Sequence, residues 1–164
     1  MSTKPAKKQV LPGGFTLMEL LIVIAIIIVL AAAVFVALNP AKRFQDSRNA
    51  RRSSDTAAIL SALKIDQADN GGTYVASVAA LTADTAYQIG TDASGCDSSC
   101  TGVTEAACAD LTALATEGYL GSIPFDPSTG TAEQTDYSII RRASGTITIS
   151  ACDAEAGAVI SVSR

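Results

Sequence analysis

From Phe15 to Leu38 the chain runs for 24 residues with a single charged side chain, Glu19. As a helix rising 1.5 Å per residue, this stretch measures about 36 Å, enough to cross a hydrocarbon core of about 30 Å. That argues against a simple cytosolic globule. Length alone, 164 residues, suggests one domain with an appended segment. Many of the large aliphatic side chains lie in this one run. The remainder is rich in Ala, Thr, Ser, Gly and Asp, and only a small core can be built from it.

Charge divides the chain as clearly. Lys4, Lys7 and Lys8 precede the run, and Lys42, Arg43, Arg48, Arg51 and Arg52 follow it with Asp46 as the lone acid among them. From Ser53 onward 14 acids face 4 bases, a net charge of −10. Such a body argues against nucleic acid as a partner, because phosphate contacts need clustered Lys and Arg. The chain has no His, so the commonest general base and metal ligand is missing. No G-x-G-x-x-G, G-x-x-x-x-G-K or C-x-x-C pattern is present. The residues predict no enzyme and no cofactor.

The start of the apolar run carries the most specific signal. A secretory signal is cut after its apolar core, and Ala31-Ala32-Ala33 imitates such a site, but the run is longer than a signal core of about 7–15 residues. The residues Gly14-Phe15-Thr16-Leu17-Met18-Glu19-Leu20 instead resemble the prepilin peptidase site of type IV pilins and type II secretion pseudopilins. The resemblance implies cleavage between Gly14 and Phe15 on the cytoplasmic side, release of a leader spanning residues 1–14, and N-methylation of Phe15. It further implies a single-pass protein of a bacterial inner membrane that is then polymerised into an extracellular or periplasmic filament. Its partners would be the prepilin peptidase, an inner-membrane assembly platform, the lipid bilayer before assembly, and other copies of itself. The function it implies is that of a structural subunit of a type IV pilus, or fimbrium, or a pilus-like filament. The alternatives are a pseudopilin of a type II secretion system and a minor pilin that binds DNA or a surface ligand. The same resemblance gives Glu19 a role in assembly. Cleavage would create a positive α-amino group on Phe15, and Glu19 of one copy could meet that amine on a staggered neighbour, setting the axial register.

Lys4, Lys7 and Lys8 favour a cytoplasmic N-terminus, whereas the cluster at 42–52 would have to cross. The four cysteines tip the remainder of the chain outward. Beyond the apolar segment 15–38, Asn39-Pro40 predicts a kink, since Pro40 removes a donor and crowds the preceding turn. The residues Ala57, Ile59, Leu60, Ala62 and Leu63 then recur at near-helical spacing. Asn70-Gly71-Gly72 closes an amphipathic half over 39–72. The whole reads as a helical spine of about 55 residues, on the order of 80 Å long.

Residues 73–164 read as an exported domain. Tyr74–Leu81 and Leu111–Leu120 read as a loop region with one short helix, the second stretch set by Leu111, Leu114 and Leu120, and 82–105 is polar enough to be a surface loop. Tyr137–Arg141 and Thr146–Ser150 predict a hairpin, with a third strand at Ala158–Val162. An antiparallel sheet against the amphipathic half would bury Ile59, Leu63, Ile139, Ile147 and Ile149. The expected class is α+β, pilin-like: a long N-terminal helix, transmembrane in its first half, packed on a small antiparallel sheet.

Two sets of side chains in this domain invite chemistry. Cys96, Cys100, Cys108 and Cys152 permit three pairings, and spacing selects none. Two disulfides, fewer bridges with free thiols, or a metal site all stay open. A bridge to Cys152 would tie the loop to the sheet, by analogy with the disulfide-bounded loop of many pilins. Asp126, Asp153 and Glu155 are calcium candidates, set against a reading as solvated turn carboxylates. The acidic calcium loop of the major pseudopilins is not recognisable at the C-terminus. Arg48, Arg51 and Arg52 read as solvated, or as pairing with acids of neighbouring copies, against a DNA- or lipid-contacting patch.

Overall fold

A computed structural model describes residues 13–98 and 100–164. Residues 1–12 of the leader, with Lys4, Lys7 and Lys8, lie outside them. The chain divides into two compact units, Met1–Pro40 and Ala41–Arg164.

In the first unit, helix α1 spans Leu17–Leu38. Thr16 caps its N-terminus, and Asn39, at φ 41°, ends it in the left-handed conformation that Asn tolerates better than most residues. Pro40 then opens α2, Pro40–Asp69, where its missing N–H is no loss and its fixed φ suits a first helical position. The expected kink is therefore a one-residue interruption, and the 53 residues Leu17–Asp69 are otherwise helical. No residue of α1 is buried. Its length and composition suffice to cross a membrane.

The second unit is α+β. Strands β1 (Ala86–Gly90), β2 (Gln134–Arg141), β3 (Ile147–Ala151) and β4 (Ser161–Ser163) form an antiparallel sheet in the order β1-β2-β3-β4. Helix α2 turns one face inward, burying Arg52, Thr56, Ile59, Leu60, Ala62, Leu63 and Asp66, positions that recur every three to four residues as a helix requires. Ile59 and Leu63 join Ile139, Ile147 and Ile149 in one core, all five fully buried, with Ile89, Leu111, Leu114 and Tyr137. The alternation of β2 and β3 delivers these isoleucines to a single face of the sheet.

Three expectations need correction. The segment 82–105 is not all loop, because β1 lies within it and pairs with β2 from Ala86 opposite Ile140 to Gly90 opposite Gln134. Its Gln88 is buried and donates to Asp136 Oδ1 at 3.0 Å, while Thr135 Oγ1 donates to the carbonyl of Ile89 at 2.7 Å. Two short helices, α3 (Ala76–Ala79) and α4 (Thr112–Thr116), stand where one was expected. The last strand begins later than Ala158, because Ala156 and Gly157 both adopt positive φ in the turn before it and leave Val159 exposed.

Candidate functional site

At the proposed processing site, Gly14 has open space around its Cα and Phe15 is almost wholly exposed. Both precede the first turn of α1, outside any helix or strand. Glu19, however, has a local partner. Its carboxylate accepts from the Thr16 backbone N–H at 2.9 Å and from the Thr16 hydroxyl at 2.9 Å, while its own N–H donates to Thr16 Oγ1 at 3.2 Å. This reciprocal arrangement is a capping box, which satisfies otherwise orphaned donors at the helix start. The pattern Thr16-x-x-Glu19 carries that signal in the sequence, where the amine of Phe15 is the more conspicuous partner. Glu19 thus has a structural role in α1 besides any role between copies.

The second unit places the other singled-out side chains in two groups. The first surrounds Arg52, which is fully buried. Its Nε donates to Asp126 Oδ2 at 2.5 Å and its Nη2 to Asp126 Oδ1 at 2.9 Å, a bidentate fork. Its Nη1 reaches Glu155 Oε2 at 2.8 Å and Asn49 Oδ1 at 2.9 Å, and Nη2 also donates to Ser128 Oγ. Arg48 holds the same Glu155 through Nε at 2.6 Å and Nη2 at 2.5 Å. Arg51 lies 3.6 Å from Asp55. The expectation that these arginines are solvated or reach other copies is therefore wrong for Arg48 and Arg52. A charge as costly to bury as a guanidinium stays inside only with opposite charge and filled hydrogen bonds around it, and here both are supplied from within the chain.

The same contacts decide what the calcium candidates do. Asp126 is not a solvated turn carboxylate. Burial alone would raise its pKa, but the Arg52 guanidinium and the hydroxyl and N–H of Ser128 outweigh that and hold it at about 2. Glu155 is likewise held at about 2 by hydrogen bonds first from Arg48 and then from Arg52. Asp153 stands apart from the fork and accepts from Thr129 Oγ1 at 2.9 Å. Among the described residues no group of three acidic, Cys or His side chains is arranged to hold a metal. Asp126 and Glu155 already face a cation, and it is Arg52. The arrangement ties α2 to the turn at 126–128 and to the segment after β3. Gly130 completes that turn: a Cβ there would stand 2.4 Å from the Asp126 nitrogen.

The second group is the cysteines. Cys96 pairs with Cys108 and Cys100 with Cys152. The first bridge closes a turn inside the long β1–β2 connection, and the second joins that connection to the chain just after β3. Tyr137 is buried and donates to Asp55 Oδ2 at 2.9 Å. Burial first, and this acceptor second, push its hydroxyl well above the usual tyrosine range.

Comparison of the chain with protein-family models, with curated proteins and with solved structures yields no match.

Proposed function

We propose that the chain is a prepilin-type structural subunit, anchored in a membrane by α1, cut between Gly14 and Phe15, and polymerised into a filament through α1. One observation carries the reading. Beyond Glu19 in its first turn, helix α1 is apolar on every side and buries no residue, while the unit from Ala41 closes a core of its own. A surface of that kind is at rest only in lipid or against copies of itself. The cleavage motif supports the second of these as the end state. In this reading the chain performs no catalysis, and its chemistry is processing done by another enzyme.

Within a filament, Glu19 would answer the Phe15 amine of a neighbour once the leader is gone, since an unpaired carboxylate among packed apolar helices is costly. The capping box makes this role separable from a local one. Glu19→Gln keeps an acceptor for Thr16 and removes the charge, whereas Glu19→Ala removes both. If register depends on the charge, cells producing either variant insert and process the protein but show no filaments by electron microscopy. Normal filaments from Glu19→Gln would reduce Glu19 to a helix cap.

A further inference from the structure

Immediately after the apolar helix and its interruption, α2 presents Lys42, Arg43 and Phe44 in succession, all exposed, with 65% of Phe44 in solvent. None of the three is among the α2 residues that face the core. Farther along, Arg48 and Arg52 close on Glu155 and Asp126, and Arg51 lies beside Asp55. Arg43 has no ion pair among the described residues. The acid of this stretch, Asp46, is also exposed but sits further from the apolar end.

Chain length fixes where these side chains can be. Lys42 follows Leu38 by four residues, so its Cα lies within about 14 Å of Leu38 whatever the backbone does at Asn39. Phe44 follows Lys42 by two residues on α2, about 3 Å further along that helix. The headgroup layer on one side of a bilayer is about 5–7 Å deep. Lys and Arg side chains extend along apolar surface and deliver their charge to headgroups, and an exposed Phe beside them inserts at the acyl boundary. The chain from Ser53 onward carries a net −10, so an anionic surface repels that body and attracts this stretch.

We infer that Lys42, Arg43 and Phe44 form a collar that binds the headgroups of anionic phospholipid at the membrane surface where α1 emerges. The collar rests on the reading of α1 as a membrane anchor. It holds the subunit at the bilayer before assembly.

The chain contains no Trp, so a single introduced indole reports its own surroundings. The full chain carrying Phe44→Trp would be placed in bilayer discs of phosphatidylcholine alone or mixed with phosphatidylglycerol. A companion variant, Val29→Trp, reports the middle of α1. The collar predicts that the Phe44→Trp protein emits at blue-shifted wavelengths and is quenched by lipids brominated near the headgroup. Both effects should be stronger with phosphatidylglycerol. The difference between the two lipids should be lost on adding Lys42→Gln and Arg43→Gln. Equal signals in both lipids, or a water-like emission from Phe44→Trp, while Val29→Trp is quenched by deep bromines, would overturn the collar and leave the anchor standing. A water-like emission from Val29→Trp would overturn the anchor, and the collar with it. Quenching of Phe44→Trp only on assembly, with no lipid dependence, would assign the patch to a neighbouring copy instead and equally refute the collar.

Discussion

Of the 22 residues in Leu17–Leu38 none is buried, whereas the 30 in Pro40–Asp69 bury seven, two of them charged. The two helices adjoin in the chain, yet among the described residues nothing buries any part of the first, while the second is covered on one face from Arg52 to Asp66. Leucine and isoleucine dominate the helix that stays bare, and an arginine is the largest fully buried side chain on the helix that is covered. Composition therefore does not decide burial here. Partners do. The second unit holds Asp126 and Glu155 for Arg52, and a sheet for Ile59 and Leu63. In the proposed function the partner of α1 comes from outside the chain, as lipid or as further copies.

The sharpest way to break this contrast is to remove a partner where the chain supplies one. Arg52→Ala leaves Asp126 buried beside an emptied site, and loss of one member of a buried pair costs about 3–5 kcal/mol. Thermal melting of the variant should show it. The pH profile gives the sign. Asp126 and Glu155 are depressed from ordinary values of 3.8 and 4.5 to about 2. Their contribution is thus complete above about pH 4.5 and is lost as pH falls toward 2. The gap in stability between the natural protein and Arg52→Ala should narrow as pH falls toward 2, and level off only above the pKa that burial raises for Asp126 once its arginine is gone. A gap independent of pH would mean that the arginine acts by packing alone.

The disulfides should follow in size. Removing either is expected to cost about 2–4 kcal/mol. Cys100–Cys152 spans 52 residues and Cys96–Cys108 spans 12. On the loop-entropy account the longer bridge contributes about 1 kcal/mol more. Paired Cys→Ser variants, melted under the same conditions, test both the magnitude and the order. Equal losses would shift the explanation from the unfolded chain to native contacts around Cys152.

The smallest effect is expected in α1. Ile24→Ala removes a side chain on a helix with no buried residue, and it should leave the melting of the second unit unchanged within about 0.5 kcal/mol. A larger loss would show that the bare helix has a partner inside its own chain.

How far the sequence was legible follows the same division. Local periodicity located Ile59 and Leu63 on α2, and Ile139, Ile147 and Ile149 on β2 and β3, because each signal repeats within a few residues. Strand β1 was hidden, since Ala86–Gly90 offers two large apolar side chains and its buried Gln88 is satisfied by Asp136, 48 positions away. Arg52 was misread for the same reason. Its partners lie 74 and 103 positions along the chain, and a charge on a helix reads as solvent-facing until such acids are placed. The cysteines announced bridges but not their pairing. At Glu19 the capping box was local and readable, yet the charge suggested a partner between copies before one three residues away.

If α1 gains its lasting partner only after cleavage in front of it, the mature N-terminus must show the cut. That N-terminus is read from the mass of the N-terminal peptide in protein recovered from the membrane and from surface filaments. The expected peptide begins at Phe15 with one added methyl group. It should be absent in Gly14→Val, a change for which the structure leaves open space. A peptide that retains residues before Phe15, or one that begins after Ala33, would contradict cleavage at this site.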